Sequence, residues 1–131
     1  MKIMIDTNVL ISAVYNLNSV PAKAVRLSCE NHELILCDHI INECYEAVNK
    51  SFPQHVSVMD NLLDTLVYEI VVSPHSACSV ISDPKDAPIL NAAILHNVDI
   101  IISGDNHFKR LNMEHPKVMS PADFVNTYGT G

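Results

Sequence analysis

The chain has 131 residues, of which 48% are hydrophobic and 5% aromatic with no Trp, and it carries a formal net charge of −7. That length supports a single domain over residues 1–131 with a sizeable core, and a core of Ile, Leu, Val and Ala suits a parallel sheet covered by helices. The composition excludes a disordered chain, no apolar run approaches the roughly 18 residues of a membrane span, and the negative charge excludes a basic surface spread over the whole molecule for nucleic acid.

Nucleic acid itself is not excluded, because carboxylates that converge on divalent cations are partly neutralised in the working form. Cys29, Cys37, Cys44 and Cys78 make no C-x-x-C pair and follow no signal peptide. They read as reduced, mostly buried thiols of a soluble cytoplasmic protein, which points away from zinc.

The first element is Ile3-Met4-Ile5, an apolar run that ends abruptly on Asp6-Thr7-Asn8. A buried parallel strand reads as continuous hydrophobics, and ligands in open α/β sheets sit beyond the carboxyl ends of such strands. Asp6 therefore stands where a site would be, although Asp6 or Thr7 capping the next helix is an equally good account of this stretch alone. That helix runs from Asn8 to about Tyr15, and Asn16-Leu17-Asn18-Ser19 breaks it with turn formers. Pro21 suits the first turn of a second helix, with Ala22, Val25 and Cys29 on one face.

Leu34-Ile35-Leu36-Cys37 is a second short strand, closed by Asp38, which can cap a third helix from His39 to about Lys50. In that helix Ile40, Ile41, Cys44, Tyr45 and Val48 form the apolar stripe, and Glu43 borders it, so its carboxylate can be aimed at the strand ends. A solvated helix glutamate is the commoner fate. His39 and Glu43 are an i, i+4 pair that could chelate a metal, a weak motif outside its H-E-x-x-H context.

Pro53 opens a fourth helical pattern through Val56, Met59, Leu63 and Leu66, and Tyr68–Val72 reads as a strand. Residues 73–82 form a connection to Asp83-Pro84-Lys85-Asp86. Asp86 precedes the small, apolar helix Ala87–Leu95; its ordinary role would be a cap, and that of Asp83 an Asx-Pro turn. Asp99–Ser103 is the strongest strand in the chain, and Gly104-Asp105-Asn106 is turn chemistry directly after it. A helical turn through Phe108 and Leu111, a short strand Val118-Met119 and a final helix opened by Ser120-Pro121-Ala122-Asp123 complete the chain, the last resembling a capping box with Asp in place of Glu.

Strand and helix patterns alternate throughout, which predicts an α/β fold, three layers with a mainly parallel sheet of four or five strands between helices. In that architecture Asp6 and Asp105 sit on carboxyl-terminal strand edges, Asp86 starts a helix from the same rim, and Glu43 lies one turn into another. Four carboxylates in one pocket repel each other unless protons or cations sit among them, and hard oxygen ligands favour Mg²⁺ or Mn²⁺ over zinc. One or two such ions, about 4 Å apart if both bind, would orient a water, lower its pKa and offset charge on a scissile phosphate.

Ile5-Asp6-Thr7-Asn8-Val9-Leu10, Glu43 in the third helix, Asp83-Pro84-Lys85-Asp86 before an Ala-rich helix, and Ile102-Ser103-Gly104-Asp105 together resemble the motifs of PIN domains. Met119-Ser120-Pro121-Ala122-Asp123-Phe124 resembles the end of the subgroup assigned to the toxins of toxin–antitoxin systems. The resemblance implies a metal-dependent endoribonuclease that leaves a 5′-phosphate and usually forms dimers. It implies Asp6, Glu43, Asp86 and Asp105 as acidic metal ligands, Asp83 as an auxiliary acid, and Asn8 and Ser103 as polar supports. A toxin also implies a cognate antitoxin, whose basic or hydrophobic segment would cover the acidic mouth. Lys85, Lys109 and Arg110 flank the motif acids and are the candidates for holding the RNA backbone, against the usual fate of such residues as solvated charge. An acidic total charge and the His107 beside Asp105 depart from what the family leads one to expect.

Two other classes compete. Aspartyl phosphotransfer of the haloacid-dehalogenase type also begins with an apolar strand ending on Asp, but wants a second Asp where this chain has Asn8. A non-catalytic binding module of the same fold has no need to maintain a repulsive acidic cluster.

Overall fold

The computed structural model describes residues 1–72, 87–104 and 114–129. Five strands, β1 (Lys2–Ile5), β2 (Glu33–Cys37), β3 (Glu69–Val71), β4 (Ile100–Ile102) and β5 (Lys117–Met119), form one sheet in the order β3-β2-β1-β4-β5. All four pairings are parallel, with Met4 of β1 set between Ile35 and Ile101. The strands are short and, in the central three, almost wholly buried, because helices cover both faces of such a sheet.

The described helices are α1 (Thr7–Tyr15), α2 (Val20–Asn31), α3 (Asp38–Ser51), α4 (Val56–Thr65), α5 (Ala87–Leu95) and α6 (Pro121–Tyr128), with a 3₁₀ turn at Pro53–His55 before α4. The chain steps outward from β1 to β2 to β3, then returns past β1 to build β4 and β5 on the other side. Right-handed crossovers running in opposite directions lie on opposite faces, which gives the three-layer α/β/α arrangement expected from the alternation of patterns. The core is continuous, from Ile3, Met4 and Ile5 through Leu34–Cys37 and Ile100–Ile102 to Leu90, Ala92 and Ala93 of α5.

Local departures have local causes. Asp38 does not cap α3: the cap position is Cys37, and Asp38 is the first helical residue, where a carboxylate meets the positive end of the helix dipole. Ser19 is not merely part of a turn, since its Oγ accepts from the Ala22 N–H at 3.2 Å and starts α2. Ser120 behaves as the capping pattern predicts and accepts from the Asp123 N–H at 3.1 Å. β3 shrinks to Glu69–Val71, and Ile70 within it and Val72 just after it are exposed. The helical turn expected through Phe108 and Leu111 and the connection at 73–82 lie outside the described residues.

Candidate active site

β1 and β4 are neighbours in space although β1 is the first strand in the chain and β4 the fourth, so the sheet reverses its winding direction between them. In doubly wound sheets that reversal opens a crevice beyond the carboxyl ends of the two strands, where connections leave in opposite directions. Asp6 directly follows β1 and Ser103 directly follows β4. The Asp6 N–H donates to the Ile102 carbonyl at 3.0 Å and the Ser103 N–H to the Met119 carbonyl at 2.9 Å, so the ladder holds both residues in register. Their side chains meet across the crevice: Ser103 Oγ donates to Asp6 Oδ2 at 2.8 Å. Asp6 is 3% exposed and Ser103 is fully buried.

The capping account of Asp6 fails on this geometry. Asp6 occupies the cap position of α1, and its carbonyl accepts from the N–H groups of Val9 and Leu10, but its carboxylate makes no capping bond. Burying a carboxylate is costly without partners, and here it is turned away from the helix that would welcome it and toward β4.

Glu43 reaches the same neighbourhood from α3. Thr7, the residue after Asp6, donates from Oγ1 to Glu43 Oε1 at 2.8 Å, a contact that spans 36 residues. His39 Nε2 stands 3.3 Å from that same oxygen, one helical turn before Glu43. Glu43 is therefore no solvated helix glutamate; it is tethered beside Asp6. Asn8 lies exposed in the first turn of α1. Asp83, Asp86 and Asp105, and with them Lys85, Lys109 and Arg110, lie outside the described residues.

Cys44 lies under this pair, donating from Sγ to the Thr7 carbonyl at 3.8 Å. Burial pushes its thiol up to about 12, and the negative charges of Glu43 and Asp6 push it in the same direction. Its Sγ is engaged by the Thr7 carbonyl, and the donors offered at the site are hard carboxylate oxygens backed by hydroxyls, a set suited to Mg²⁺ or Mn²⁺. Among the described residues no group of three or more His, Cys, Asp or Glu is placed to hold a metal ion; Asp6 and Glu43 are the described members of the expected set. A thiol held so high carries roughly 10³-fold less of the reactive thiolate than an ordinary exposed cysteine. Iodoacetamide at pH 8 should accordingly leave Cys44 unmodified in the native protein and alkylate it in urea, as read by peptide mass spectrometry. Rapid native labelling would mean that Cys44 is not held in the buried position described here.

Acids elsewhere have other work. Asp99 stands at the opposite edge of the sheet, accepting from the Lys2 N–H at 2.8 Å, with His115 Nε2 3.2 Å away. That backbone bond, more than His115, holds its carboxyl below the usual range. A cleft of about 580 Å³ opens there beside Met1, Glu30 and His32, and in it Asp99 is committed to the entry of β1.

The residues that sequence reasoning left out of the site are Thr7 and, in its observed role, His39. The H-x-x-x-E spacing was the signal for the second; for Thr7 the only signal was its place directly after a strand-ending Asp.

The sequence model of the PIN domain family matches residues 2–107. An uncharacterized protein of Methanocaldococcus jannaschii is 26% identical over 142 residues, an alignment covering 97% of this chain and 91% of its own length. The fold is similar to a chain in the crystal structure of VapBC2 from Rickettsia felis bound to a DNA fragment from their promoter, with a TM-score of 0.71 and 20% identity over 92% of this chain and 98% of that one.

Proposed function

This chain belongs to the PIN domain family, and from that premise we propose that it is a Mg²⁺- or Mn²⁺-dependent endoribonuclease, the toxin of a toxin–antitoxin pair. The observation that carries the reading is Asp6: a buried carboxylate at the switch point of the sheet, bonded to Ser103 of the neighbouring strand instead of capping its own helix, with Glu43 tied to the next residue.

Asp6 and Glu43 would hold the cation, with Asp86 and Asp105 as further ligands and Asp83 as an auxiliary acid. The bound ion would supply a water of lowered pKa and offset charge on the scissile phosphate. Ser103 fixes one oxygen of Asp6, and Thr7 fixes one oxygen of Glu43, so neither carboxylate must be ordered when the substrate arrives. Asn8 would add a polar contact at the mouth, and Lys85, Lys109 and Arg110 would hold the RNA backbone against the repulsion of an acidic chain.

The deciding experiment is cleavage of a labelled single-stranded RNA by the purified protein with Mn²⁺ and with EDTA. Cleavage that depends on the ion is the expected result; RNA left intact in both, by protein that shows no melting shift with millimolar Mn²⁺, would favour a scaffold that keeps the fold without the chemistry.

The partner reading draws on the toxin-like closing motif and on exposed apolar side chains at Tyr15, Leu17 and Val20, beside a groove of about 410 Å³ lined by Ile11, Tyr15 and Phe52. Exposed apolar patches mark interaction sites, and an amphipathic antitoxin segment fits such a groove. Co-expression with the adjacent small reading frame, followed by light scattering of the purified species, measures both the antitoxin complex and the proposed homodimer. No helix among the described residues is long and apolar enough to cross a membrane.

A further inference from the structure

We draw no further inference here: the strongest candidate, the apolar patch at the sheet edge where Val67, Ile70 and Val72 stand exposed on and beside β3, carries none because nothing among the described residues shows what covers it.

Discussion

Asp6→Asn should abolish RNA cleavage while leaving the protein folded. Asn keeps a carbonyl oxygen where Asp6 accepts from Ser103 Oγ, so the link between β1 and β4 survives and only the negative charge is lost. The cost in rate should be roughly 10³-fold, the scale on which a group aimed at developing charge is felt when removed. Two further readouts make the prediction specific. A saturating divalent ion, at about 100 times its dissociation constant, adds about 2.7 kcal/mol to stability, so wild type should melt on the order of 10 °C higher with Mn²⁺, and this shift should largely vanish in Asp6→Asn. The metal-free variant should melt at or above the wild-type temperature, because a buried carboxylate close to Glu43 is an expense of function that natural sites carry at the cost of stability. A variant that cleaves RNA as fast as wild type would remove Asp6 from the chemistry; one that melts far below it would make Asp6 a structural residue.

The second large effect is on stability. Phe124→Ala should cost about 3–5 kcal/mol, measured by urea denaturation followed by circular dichroism. Phe124 is fully buried and is the buried side chain of α6, with its ring 6.0 Å from that of His32 on the other side of the contact and 5.0 Å from that of Tyr128. α6 packs against α2, and removing the ring would leave a cavity between two helices that cannot close without moving off the sheet. Asn126→Ala, on the exposed side of the same helix, should change stability by less than about 0.5 kcal/mol. A loss below about 1 kcal/mol for Phe124→Ala would show that α6 is dispensable to the folded domain.

The expectations that came through did so for reasons visible in single residues. Ile3-Met4-Ile5 forms a buried strand, as a continuous apolar run suits a sheet covered on both faces, and Ser120 opens α6 because its hydroxyl can accept from the N–H three residues on. Such local rules need no partner. Cys37 and Asp38 show where they weaken: both a cap and a first-turn acid place a carboxylate near the same N–H groups, and only the backbone angles separate the two.

The site divides along the same line. Alternation of strand and helix patterns by itself determined that Asp6 would stand at a carboxyl-terminal strand edge and that Glu43 would border the buried stripe of α3, because periodicity specifies which face a residue occupies. It did not determine which oxygen meets which donor. The bond from Ser103 to Asp6 spans 97 residues and that from Thr7 to Glu43 spans 36, and such contacts exist only once parallel pairing has put β1 beside β4 and packed α3 against α1. Tertiary structure alone decided that the Asp6 carboxylate turns away from its helix, that the Thr7 hydroxyl meets one oxygen of Glu43, and that Cys44 is held as a thiol, since each follows from proximity and burial, quantities no local pattern contains.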